Sequence, residues 1–163
     1  MAKSDKKAKV EGEVLIVKNR RATFDYIIDE VYEGGLVLVG SEVKSMRAGR
    51  CDIVDAYASV DNGQLWLKQL YVAPFEQAKV FPHEVRRARK VLMHKSEIAQ
   101  VQKALSRQGY TLIPLRLYFK NGRAKVELGL AIGKKTHDKR DEIATKTANR
   151  EARAAMARGR KGE

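Results

Sequence analysis

Between Gly133 and Arg140 the chain reads Gly-Lys-Lys-Thr-His-Asp-Lys-Arg, four cations and an imidazole within eight residues. Ammonium and guanidinium groups at that density suit phosphate oxygens, and the imidazole can stack on a base or bond to it. A second cluster, Arg86, Arg87, Arg89 and Lys90, precedes the apolar Val91-Leu92-Met93. The other reactive side chains are dispersed. His83, His94 and His137 lie far apart, and the single Cys51 excludes an internal disulfide and any multi-cysteine zinc site. No phosphate-binding GxxxxGK loop and no GxSxG nucleophile elbow occurs. Asp29 and Glu30 are adjacent, which on a strand sends them to opposite faces. The expectation is a binding protein without metal or cofactor, not an enzyme; a site assembled by folding from distant residues stays open.

The chain has 163 residues, room for one ordinary domain plus flexible ends. Lys and Arg number 33 against 20 Asp and Glu, a formal charge of +13 that a polyanionic partner would relieve. With one Trp and four Phe, the core must rest on Val, Leu and Ile. No apolar run reaches membrane-spanning length, and Met1–Lys9 lacks the apolar centre of a signal peptide, so a cytoplasmic protein without membrane contact is expected.

Residues 1–12 read as a flexible basic lead-in. Val14–Val17 is a β-branched strand, Asn19-Arg20-Arg21 a basic turn, and Tyr26–Tyr32 a second strand that Gly34-Gly35 breaks before a third at Leu36–Val39. Ser41 can cap a short helix that Gly49 closes. Tyr57–Val60 and Leu65–Leu67 flank Asp61-Asn62-Gly63 as a hairpin, with Leu70–Val72 extending the sheet. Ser96 can cap a helix carrying Ile98, Val101 and Leu105 on one side. Thr111–Phe119 and Ala124–Ala131 form a long hairpin around Asn121-Gly122. Six or seven strands with two helices predict a mainly β protein: residues 13–132 as a small closed or partly open barrel of oligonucleotide-binding (OB) type.

Residues 133–163 carry ten Lys/Arg, five Asp/Glu and only Ile143 and Met156 as large aliphatic side chains. Alanines at 144, 148, 152, 154, 155 and 157 favour helix, but an isolated segment of this length without an apolar stripe does not stay helical in water. The expected state is disorder when free and helix on RNA, where counterion release offsets the ordering cost. A merely solubilising tail is the alternative.

Three segments go beyond composition: Gly40–Arg50 (GSEVKSMRAGR), Leu112–Arg123 (LIPLRLYFKNGR) and Gly133–Arg140 (GKKTHDKR). In this order and spacing they resemble the small protein B family, the SsrA-binding proteins of bacterial trans-translation, from about Val17 to Arg140. The resemblance implies an OB fold with flanking helices and no catalysis. It implies binding to the tRNA-like domain of tmRNA (SsrA RNA), delivery of the alanyl-charged form to ribosomes stalled on truncated messages, and indirect contact with elongation factor Tu. The tail would enter the empty mRNA path and form a helix in the decoding centre.

By the same resemblance, Asn19 and Glu33 match polar tmRNA-binding positions and Leu92 an apolar one, with Arg20 and Phe24 in the same loop as Asn19. An Asn amide both donates and accepts, whereas a carboxylate facing RNA must accept from a base amino group or orient an Arg. A strand-end acid is the plain reading of Glu33, and simple core that of Leu92. Lys44, Arg47 and Arg50 fit phosphate contacts and equally a solvated helix face. Lys134, Lys135, His137, Asp138, Lys139 and Arg140 match the start of the family's tail, in contact with the decoding centre. Two positions depart from the pattern: Phe24 where His is common, and Ile132 where many members are basic. A general single-strand RNA binder and an RNA-processing enzyme with a dispersed site are the competing classes.

Overall fold

The computed structural model describes residues 12–77 and 83–159, with only the backbone described at 136–138. The expected lead-in, apart from Gly12, and the last four residues of the tail lie outside the described residues.

Long strands provide the frame. β8 (Tyr110–Lys120) and β9 (Arg123–Gly133) form the anticipated hairpin, and β2 (Tyr26–Leu36) pairs with β9 from Tyr26↔Gly133 to Gly35↔Lys125. β4 (Tyr57–Asp61) and β5 (Gln64–Lys68) form the second hairpin. Both turns use Asn-Gly with positive φ at each residue (51° and 72° at Asn62-Gly63, 52° and 77° at Asn121-Gly122), the twist that suits a two-residue hairpin. β7 (Arg89–Leu92) joins β5 to β2, closing a six-strand ring β8-β4-β5-β7-β2-β9. Closure between β4 and β8 rests on the pair Ala58↔Leu112, so the ring is a partly open OB-type barrel. β1 (Glu13–Lys18) adds to the outside edge through β8, and β3 (Cys51–Asp52) with β6 (Tyr71–Val72) makes a separate two-stranded sheet.

Inside the ring, Leu65, Leu67, Val91, Leu112, Leu117, Val126 and Leu128 are all but fully buried. Each such side chain contributes roughly 1.5–3 kcal/mol through loss of apolar area to water. Helix α2 (Gly40–Arg47) inserts Met46, and α3 (Lys95–Leu105) inserts Ile98, Val101 and Ala104. The single-turn helix α1 (Ala22–Asp25) packs Ala22 with Ile113 and Ala131 into a small second cluster. Helix α4 (Thr136–Gly159) follows β9.

Several local expectations change. Gly34-Gly35 does not break β2. A Cβ on Gly34 would lie 2.4 Å from Cγ1 of Val91, so the glycine marks close strand approach, and the strand ends at Leu36 instead of a new one beginning there. Ser41 is inside α2; Glu42 reaches back to accept the Val39 N–H at 3.0 Å. Ser96 is likewise inside α3, which His94 precedes as N-cap residue. Leu70–Val72 feeds the small sheet, not the ring. The tail is helical from 136 to 159 here, whereas composition assigned the helix to the RNA-bound state.

Candidate nucleic-acid interface

The loop after β1 is shaped by one amide. Asn19 is buried; its Oδ1 accepts the backbone N–H of Arg21 (3.2 Å) and Ala22 (3.1 Å), and its Nδ2 donates to the Pro114 carbonyl at 3.3 Å. Its own backbone N–H donates to Leu115 O at 2.7 Å. This is cap chemistry: a polar side chain satisfies the orphan donors that begin α1. The amide expected to read RNA is therefore occupied, and what it holds out is Arg20, exposed beside it. Phe24 is half-buried, with Lys146 Nζ of α4 5.4 Å from its ring centre.

Further along β2, Glu33 sits on the outer face among charged neighbours. The buried Tyr118 donates its hydroxyl to Glu33, and Lys120 Nζ lies 3.7 Å away. The Tyr118 hydrogen bond, helped by Lys120 and Lys125, holds the Glu33 carboxyl below its ordinary range despite some burial. Burial and the Glu33 charge push Tyr118 upward. The guanidinium that stacks 4.2 Å from the Tyr118 ring centre is Arg116, bound to Glu127 at 2.8 Å and to Glu13. Glu33 thus orients a tyrosine and a lysine, not an arginine. Leu92 is not core: it is 55% exposed on the outer edge of β7, opposite Gly35.

Helix α2 presents its cations outward and anchors itself inward. Lys44 stands over Phe75 (5.2 Å), Arg47 over Phe119 (5.4 Å), and Arg50 lies 3.8 Å from Glu76; all three cations are exposed. Glu42, on the buried side, is fully inaccessible and binds both Arg87 and the equally inaccessible Arg89. Burial would raise the Glu42 carboxyl, but the Arg87 bond, the Val39 N–H and Arg89 together hold it low. Arg89 also donates to the Leu70 carbonyl at 2.7 Å. Nearby, His83 Nε2–H donates to the Val72 carbonyl (3.1 Å), leaving Nδ1 to accept from the Ser41 hydroxyl (2.8 Å). Part of the basic cluster Arg86, Arg87, Arg89 and Lys90 is therefore a buried brace for α2. A signal existed in sequence: Arg89 alternates with Val91 on a strand whose neighbours face the core.

The first turns of α4 lie against α1. Lys134 donates to the Thr23 carbonyl (2.7 Å) and to Glu142 (2.8 Å), its backbone N–H donates to Asp25 O (2.9 Å), and Lys139 approaches Asp25 at 3.3 Å. Lys135, Arg140, Arg150, Arg153 and Arg158 are exposed. The side chains of His137 and Asp138 lie outside the described residues. Ile143 and Met156 are exposed, so no apolar face docks the rest of the helix.

Among the described residues no three His, Cys, Asp or Glu side chains gather as a metal site, and no helix is long and apolar enough to cross a membrane. Burial pushes the Cys51 thiol to about 11, away from nucleophilic use.

Known proteins give the pattern a context. The sequence profile of the family described as "SmpB protein" matches residues 16–158. The SsrA-binding protein of Desulforudis audaxviator is 53% identical over 150 residues, 92% of this chain and 97% of that protein. The SsrA-binding protein of Thermobifida fusca is 47% identical over 160 residues, 98% and 100% of the two chains. A solved structure described as "tmRNA-SmpB: a journey to the center of the bacterial ribosome" contains a chain 46% identical to this one, superposing with a TM-score of 0.63 over 74% of this chain and 85% of that one.

Proposed function

The chain belongs to the SmpB protein family, and on that premise we propose that it binds tmRNA through its β body and brings it to stalled ribosomes for trans-translation. It is an RNA-binding factor, not an enzyme. The observation that carries the division of labour is the contrast between a body with outward cations on α2 and the Asn19 loop, and a 24-residue helix that leaves it with most cations exposed.

The tRNA-like domain of tmRNA is the body's ligand. Arg20, Lys44, Arg47 and Arg50 meet its phosphates, and Leu92 packs on a sugar or base edge. Asn19 and Glu33 act through what they hold, Asn19 by shaping the Arg20 loop and Glu33 by fixing Tyr118 and Lys120. Phe24 supplies a flat ring beside Arg20. α4 enters the empty mRNA path and decoding centre, where Lys135 and Arg140 meet phosphates, His137 and Asp138 reach bases, and Lys134 and Lys139 exchange their present partners for RNA. Elongation factor Tu joins through charged tmRNA, and the work is cytoplasmic, where ribosomes are.

Competition binding tests this reading. Neither tRNA nor a random hairpin should displace the tRNA-like domain at equal concentration and moderate salt; equal displacement returns the protein to the class of general RNA binders. Truncation after Ile132 should keep most tmRNA affinity and abolish tagging on stalled ribosomes. Incubation with tmRNA should leave the RNA uncleaved and unmodified, since turnover would restore the enzyme reading.

A further inference from the structure

The outer face of β4, β5 and β7 carries an aromatic ring and a cation side by side that none of these roles uses. Register places Ser59, Trp66 and Lys90 in one cross-strand row, Ser59 opposite Trp66 and Trp66 opposite Lys90. The alternate residues Leu65, Leu67 and Val91 are buried, so Trp66 and Lys90 point away from the core. Trp66 is half-buried, and its indole N–H donates to no acceptor among the described residues; Lys90 has no carboxylate partner there. The other lysine of this face, Lys68, is already neutralised by Asp61 at 2.8 Å. Leu92 lies two residues beyond Lys90 on the same face, with only Gly35 across from it.

We propose that Trp66 and Lys90 form a further RNA subsite, in which an unpaired nucleotide of the tmRNA tRNA-like domain packs its base or ribose on the indole while Lys90 neutralises the adjoining phosphate. It rests on the tmRNA reading above and extends that interface from Leu92 across β7 to β5. Two things favour RNA as the occupant. The chain carries a +13 charge, and an unpaired ammonium beside a π face is the pairing that single-stranded nucleic acid uses, the cation for its backbone and the ring for its bases.

Trp66 is the sole tryptophan, so the unmodified protein reports on the site directly. Titration with the isolated tRNA-like domain should quench its emission with the midpoint found by gel shift, and should protect it from acrylamide. Lys90→Ala should lower affinity roughly tenfold and reduce the slope of log affinity against log salt by about one, while Lys68→Ala changes neither. Trp66→Phe, which keeps a ring, should retain most affinity, and Trp66→Leu should lose about tenfold. A gel shift with Trp66 emission and acrylamide access unchanged overturns the subsite and leaves tmRNA binding standing. So does protection that appears only when ribosomal protein is added, since the face then serves a protein. Absence of any gel shift removes the tmRNA reading and this subsite with it.

Discussion

The β ring and helix α4 are both regular, yet opposite forces hold them. In the ring, Leu65, Leu67, Leu112 and Leu128 are wholly buried, and the buried ions that do occur, Glu42 and Arg89, neutralise each other. α4 exposes Ile143 and Met156 and is fixed by lysines at its start, Lys134, Lys139 and Lys146. Apolar burial is not screened by salt, whereas ion pairs within reach of solvent are weakened by salt and by a polyanion. A scaffold that must keep its shape uses the first; a segment that must exchange protein partners for phosphate uses the second.

Breaking the brace inside the body should give the largest effect. Glu42→Ala leaves Arg89 inaccessible and without its carboxylate, an unpaired buried charge that costs about 3–5 kcal/mol. Urea unfolding followed by Trp66 fluorescence measures it, and a loss below about 1 kcal/mol would show that α2 is held by its apolar side instead. Next comes Gly34→Ala, whose Cβ would collide with Val91 at 2.4 Å. Overpacking at a strand crossing costs about 1–3 kcal/mol, and a midpoint unchanged in the same unfolding experiment would mean that β2 and β7 can separate freely.

These two positions mark where the sequence was and was not legible. The hairpins were readable because Asn-Gly turns and alternating strands are local signals, and both appear as expected. Gly34 was misread because a glycine that breaks a strand and one that admits a neighbouring strand look identical until the partner is known. The burial of Arg89 was not legible for the same reason: its neutralising carboxylate is 47 residues away. Asn19 and Leu92 were placed by likeness to a family; the Asn19 amide turns inward to cap within its turn, and Leu92, core by its plain reading, faces solvent. The OB-type ring followed from strand count, whereas the contact of α4 with α1 followed from no local pattern, because it joins Thr23 and Asp25 to residues more than a hundred positions away.

Tyr118→Phe tests the outer face of the ring, between the two extremes. Removing the hydroxyl leaves Glu33 with the Lys120 and Lys125 charges and should cost about 1 kcal/mol at neutral pH. The sign with pH is fixed by the direction of the shift. A carboxyl held below its ordinary 4.5 in the folded protein stabilises the fold above that value and loses its contribution as pH falls through the lower folded value. Stability measured between pH 6 and 3 should therefore fall less steeply in the variant. Parallel curves would assign the acid sensitivity to other carboxylates.

Lys134→Ala should be the smallest effect and the most discriminating. Its ammonium bridges the Thr23 carbonyl and Glu142, joining α1 to the second turn of α4. Solvent screens a pair of this kind, so global unfolding should hardly move. The helix should respond, because without the bridge its first turns keep, among the described residues, the backbone bond from Lys134 N–H to Asp25 O, Lys139 on Asp25 and Lys146 over Phe24 to offset the cost of nucleation. Far-ultraviolet circular dichroism should lose helix in the variant at low salt, and the native protein should lose the same signal as salt is raised, since screening and mutation remove one interaction. Helix that survived both would mean that α4 is stable by propensity alone. Its readiness to leave α1 for RNA would then need a source other than charge.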